Sequence, residues 1–187
     1  RFITDPIFYS RLILLEQVTV DLQFFSGKLI QVHGDDVQLD NDTDFHRAEL
    51  SLRLSDQDTP AYVLIEGQGD PGDLASFHAD GYLQLDNFNI SKPLVRIIKP
   101  LLPARFANLS EFQANVSGEI WIDFHPGSAL DFEGILAVSE IPLDWLADVP
   151  PVQNIRTELT GWYTPGSDWG ARLQGFDFSW SDAEIEP

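Results

Sequence analysis

Residues 15–24, LEQVTVDLQF, decide how this chain is read. Val18, Val20, Leu22 and Phe24 occupy every second position, and Thr19, Asp21 and Gln23 fall between them. Side chains alternate across a strand with a period of two, so this stretch has one apolar and one polar face. Ser26, Gly27 and Lys28 then turn the chain into 29–32, making a hairpin. Val37 and Leu39 continue the pattern before the polar run 40–44. Ala48, Leu50, Leu52 and Leu54 share a face opposite Glu49, Ser51 and Arg53, and a strand at 61–66 carries Val63 and Ile65. Strands are further expected at 81–90, with Leu83 and Leu85, and at 112–124, with Ile120, Ile122 and Phe124. Three more are expected at 129–138, 155–163 and 171–180, each bounded by Gly, Pro-Gly or Asp/Asn. The fold class is therefore mostly β, an elongated antiparallel sheet with one or two short helices. The alternative is a β-sandwich.

The best helical candidate is 93–106, where Leu94, Ile97, Ile98 and Leu101 recur at three- and four-residue spacings. Pro100 and Pro103 kink or end it. Lys92, Arg96, Lys99 and Arg105 make it a basic patch in an acidic chain, so it is packed against the core or serves as a gate or lid. Shorter helical turns are expected at 5–14, 71–78 and 142–147. A degenerate repeat is also visible: the spacing G-x-x-x-P-G occurs at 67–72 and 161–166, each time at a strand end, and 116–127 is a longer version. Approximate units are 1–66, 67–115, 116–158 and 159–187.

The chain has 187 residues, with 11 Lys and Arg against 30 Asp and Glu and a net charge of −19. That balance repels nucleic-acid phosphates and anionic lipid headgroups alike, so no nucleic-acid partner is expected. Hydrophobic residues make up 43%, enough for a sizeable core, yet no run is long enough to span a bilayer. Zero Cys removes disulfides, thiolate metal sites and Cys nucleophiles. The absence of Met, in a chain that opens at Arg1 mid-pattern, fits a segment of a longer protein.

Three motifs imitate chemistry. Gly67-x-Gly69-x-x-Gly72 matches a dinucleotide fingerprint, but Asp70 adds negative charge and Pro71 removes an amide donor, so a turn is expected. Asp40, Asp42 and Asp44 resemble the start of a calcium loop. Phe45 stands where that loop needs glycine and Ser51 where it needs a bidentate Glu, which leaves a solvated acidic turn. His33, His46, His78 and His125 are scattered, with no two at helical ligand spacing, so no metal is expected. Neither G-x-S-x-G nor H-E-x-x-H occurs. No cofactor and no enzymatic activity are expected.

Several segments, taken in order, resemble the AsmA-like family of Gram-negative bacteria, in particular the amino-terminal periplasmic segment of its YhdP branch. They are 24–29 (FFSGKL), 93–98 (PLVRII) running to Pro103, 116–121 (VSGEIW), 141–146 (IPLDWL) and 176–180 (FDFSW). The resemblance implies a curved array of β-groove repeats of the bridge-like lipid transfer type, in a parent protein anchored in the inner membrane by a helix outside this chain. It implies a non-catalytic, periplasmic role in phospholipid transport between inner and outer membranes, with acyl chains and envelope proteins as partners. Membrane contact would come only through other parts of the parent.

On that reading the groove is lined by Val18, Val20, Leu22, Phe24, Leu50, Leu52, Leu54, Val63, Ile65, Leu83, Leu85, Ile120, Ile122 and Phe124. Leu94, Ile97, Ile98 and Leu101 form the gate. The rival reading is a carbohydrate-binding or structural β-sandwich module, with Trp121, Trp162, Trp169 and Trp180 available for sugar stacking.

Overall fold

A computed structural model describes residues 10–23, 29–54, 59–73, 75–90, 114–127, 129–141, 151–164 and 169–180. They form one nine-stranded sheet: β1 (Leu12–Gln23), β2 (Leu29–Asp42), β3 (Phe45–Leu54), β4 (Ala61–Gln68), β5 (His78–Ile90), β6 (Ala114–His125), β7 (Ala129–Ile141), β8 (Val152–Tyr163) and β9 (Trp169–Trp180). Spatial order equals sequence order, and every neighbouring pair is antiparallel. This is the expected mostly-β class as an open, curved meander. The unit boundaries expected at 66/67, 115/116 and 158/159 fall inside β4, β6 and β8.

There is no helix among the described residues. The helix expected at 93–106 and the helical turn expected at 142–147 lie outside them. The turn expected at 5–14 is corrected at its end, because residues 12–14 already pair with β2, Leu12 opposite Asp40. Its leucine spacing suited a helix, but Leu12 and Leu14 alternate with Ile13 and point to the polar side. Before β5 begins at His78, the Asp73 amide bonds the Asp70 carbonyl and the Ser76 and Phe77 amides both bond the Asp73 carbonyl.

The register puts the apolar alternation of every strand on one face. Core burial is confined to it: Val37, Ala61, Ala79, Ala114, Val116 and Ile155 are the buried hydrophobic residues among those described, and all six point that way. Glycines on this face let neighbouring strands approach closely. A Cβ at Gly118 would overlap the Ile135 carbonyl oxygen, and one at Gly134 would overlap that of Glu119. The β6–β7 approach therefore tolerates no side chain at either point.

Bulges recur at every third strand, and the β8–β9 register shifts once more between Arg156 and Glu158, where Gly175 of β9 takes φ +63°. The register shifts at 35–38 in β2, 85–88 in β5 and 153–156 in β8, where Asp36, Asn87 and Asn154 take positive φ of 52°, 52° and 51°. Asp and Asn adopt this conformation more readily than other non-glycine residues. A serine on the following strand marks each of these three bulges. Ser51 is opposite Asp35, Ser117 Oγ accepts from the Asn87 amide at 2.9 Å, and Ser179 Oγ accepts from Asn154 Nδ2 at 2.9 Å. The extra residue reverses the alternation, so Val37, Phe88 and Ile155 rejoin the apolar face.

Gly134→Ala should lower the melting temperature by several degrees, since its Cβ meets a backbone oxygen and overpacking of this kind costs about 1–3 kcal/mol. Gly127→Ala, in open space at φ +84°, should cost only about 1 kcal/mol. Equal effects in thermal denaturation would contradict the close β6–β7 approach.

Candidate functional site

The apolar face is a set of cross-strand rows. Leu50, Val63, Leu83 and Ile120 are successive partners across β3 to β6. Leu52 faces Ala61, which faces Leu85, and Gly34 joins Leu52 to Val18. Ile65 and Ile122 flank Gly81, and Phe124 is opposite Ala79. In the backbone ladder Val20 pairs with Val32, Val32 with Leu54, and Leu22 with Ile30. Phe24 and the residues expected to form a gate, Leu94, Ile97, Ile98 and Leu101, lie outside the described residues. The rows continue beyond the expected set through Leu130, Phe132, Leu136 and Val138 of β7 and Leu159 and Leu173 of β8 and β9. Their strands were legible as alternation. Gly134 and Gly161 break the apolar runs and conceal which face continues.

No described strand stacks on this face, because each strand contacts its sequence neighbours laterally. Large side chains consequently stay open to solvent: Leu15 is 42% exposed, Ile65 41% and Leu173 48%. A closed core would bury such residues.

The opposite face is polar and braced by ion pairs. Arg47 bridges Glu49 at 3.0 Å and Glu66 at 3.2 Å, and Arg53 pairs with Asp35. A hydrogen bond from Tyr62, then one from Arg47, holds the Glu49 carboxyl below its ordinary range, while the bond to Glu49 raises Arg47. Desolvation, reinforced by its bond to Glu49, raises the Tyr62 phenol. The Tyr82 hydroxyl donates to Glu119 Oε1 at 3.0 Å, and Tyr82 lies between Tyr62 (6.3 Å) and Trp121 (5.9 Å) in an aromatic ladder across β4, β5 and β6. Beyond Trp121 a depression of about 740 Å³ opens toward Trp162, lined also by Asp131, Glu133, Thr160 and Arg172. Trp121 and Trp162 are 42% and 41% exposed. Trp169 and Trp180 form the two ends of β9.

The imitation motifs behave as turns. Gly69 has φ +94°, Asp70 Oδ1 accepts from the Gly72 amide at 2.8 Å, and β5 follows where a nucleotide site would need a helix. Residues 40–44 are a strand end and a two-residue hairpin turn at Thr43 and Asp44. Asn41 is engaged there with the Ser10 carbonyl (2.6 Å) and His46 Nδ1 (2.7 Å).

The expectation of scattered histidines is corrected for two of the four. Pairing of β5 with β6 brings the rings of His78 and His125 to 6.3 Å on either side of Asp123. Sequence spacing does not report a cluster assembled across strands.

No family model, curated protein or solved structure matches this chain. On the polar face, Tyr62→Phe should raise the Glu49 titration toward that of an ordinary carboxyl, read by carboxyl-carbon NMR. A depressed folded-state value stabilises above the unfolded value, and that stabilisation is lost as pH falls through the folded value; the variant should therefore show a smaller loss on acidification. An unchanged Glu49 titration would remove Tyr62 from the explanation.

Proposed function

We propose that this chain is a non-catalytic lipid-carrying segment whose open apolar face holds phospholipid acyl chains. The observation that supports it is the register, which places aliphatic and aromatic rows, spaced by glycines, on one face of a single sheet with no covering layer among the described residues. Burial of acyl methylenes contributes about 0.8 kcal/mol each and needs no directional partner. The face suits this, since its rows carry no charged side chain between Leu50 and Ile120 or between Ile65 and Phe132.

The dimensions fit as well. Nine strands at a spacing of about 4.8 Å give a surface about 38 Å across, whereas one acyl chain fills about half of a ~30 Å bilayer core. Chains could thus slide from row to row without a headgroup pocket. The resemblance to AsmA-like proteins extends the proposal to a periplasmic location and transport between inner and outer membranes, with the inner-membrane anchor and envelope partners belonging to a longer parent. A charge of −19 on the remaining surface opposes adhesion to anionic bilayers along its length.

A second reading is favoured by a separate observation, the depression between exposed Trp121 and Trp162. Indole faces beside carboxylates and Arg172 suit a carbohydrate, and that site lies on the opposite side of the sheet from the groove.

Leu52→Asp and Leu83→Asp separate these readings. On an open face both variants should fold, with melting temperatures within a few degrees of the parent, and should lose the phospholipid that mass spectrometry detects with the purified chain. Trp121→Ala should leave that lipid in place. Global unfolding of both Asp variants would show a closed core, because an unpaired buried carboxylate is strongly destabilising. Lipid-free parent protein that binds glycans, with binding lost in Trp121→Ala, would establish the carbohydrate reading.

A further inference from the structure

At the turn end of β5 and β6, on the polar face, three ligating atoms converge. Asp123 Oδ1 has His78 Nε2 at 3.1 Å and His125 Nδ1 at 3.6 Å, and all three lie within 4.8 Å of one another. We propose that His78, Asp123 and His125 form a three-ligand site for a divalent transition-metal ion of the zinc type, with Asp131 positioning His125.

Ligand separations carry the first part of the argument. Atoms about 2.0–2.1 Å from a tetrahedral zinc ion stand about 3.3–3.4 Å apart, and the two separations here bracket that value. Asp123 Oδ1 is shielded from solvent and accepts no hydrogen bond, although two imidazole nitrogens are close to it. A buried carboxylate oxygen without a hydrogen bond is costly, and a cation between the three atoms satisfies it.

The surroundings supply the second part. His125 Nε2 lies 2.9 Å from Asp131 Oδ2, the carboxylate–imidazole contact that fixes the tautomer in which Nε2 donates and Nδ1 is free to ligate. Register also sets Asp80, Asp123 and Asp131 directly opposite one another on β5, β6 and β7. Like charges in such a row repel; at one end the neighbouring Glu66 is paired with Arg47, and at the other Asp123 and Asp131 face the imidazoles of His78 and His125. A bound dication offsets the repulsion at the other end. Two imidazoles with one carboxylate select zinc, cobalt or nickel over calcium or magnesium, and three protein ligands leave a position for water or an exogenous donor.

The test uses the full chain, freed of metal by chelator, with zinc as the probe. One equivalent should bind by calorimetry, and nitrogen-detected NMR of the unsubstituted protein should show zinc shifting His78 Nε2 and His125 Nδ1 while His33 and His46 stay put. His125→Ala should abolish the heat of binding, and Asp131→Asn should weaken binding by about 10- to 100-fold, with far-UV circular dichroism confirming the fold. No binding, or zinc shifts at His33 or His46 in place of the pair, would overturn the proposal, as would undiminished binding in a folded His125→Ala variant.

Discussion

A single sheet must satisfy its backbone laterally and its apolar side chains on one face, and in this chain both depend on register. Each strand pairs with its sequence neighbours, so one slip by a residue would move a whole row of Val, Leu and Ile to the polar side. Several features guard against that. Arg47 ties β3 to β4 through Glu66, Arg53 ties β3 to β2 through Asp35, and Tyr82 ties β5 to β6 through Glu119. The bulges at Asp36, Asn87 and Asn154 work in the same direction. Each one reverses alternation at a defined point and is matched to a serine on the next strand, so the apolar face continues across strands longer than a uniform pleat would keep in phase.

Much of this was legible from alternation alone. Leu50, Leu52, Val63, Ile65, Leu83, Leu85, Ile120 and Ile122 were assigned to one face from parity within strands, and the cross-strand pairs put them together. What was not legible has a physical cause in each case. Val32 and Val37 are five residues apart, an odd step that parity places on opposite faces; the left-handed backbone at Asp36 restores them to the same one. The contribution of β7 and β8 was concealed by glycines, whose role is to admit a neighbouring carbonyl or the Phe132 ring, not to supply apolar surface. The histidine pair was hidden because β5–β6 pairing, not local spacing, creates it.

The two faces therefore have different chemistry from one backbone. The apolar face is rich in aliphatic side chains and offers contact without directional recognition. The polar face concentrates charge, aromatic rings and imidazoles in cross-strand clusters, the Tyr62–Tyr82–Trp121 ladder and the His78–Asp123–His125 group among them. Because neighbouring residues on a strand face opposite ways, adjacent positions report on the two surfaces independently.

That property makes photo-crosslinking from adjacent positions the most direct measurement of the central claim. A photoreactive amino acid is placed at Leu83 in one variant and at Tyr82 in another, and irradiated in cells. If the apolar face carries lipid, phospholipid adducts form from position 83 and not from position 82. Adducts from position 82 alone, or none from position 83 in a folded protein, would contradict it.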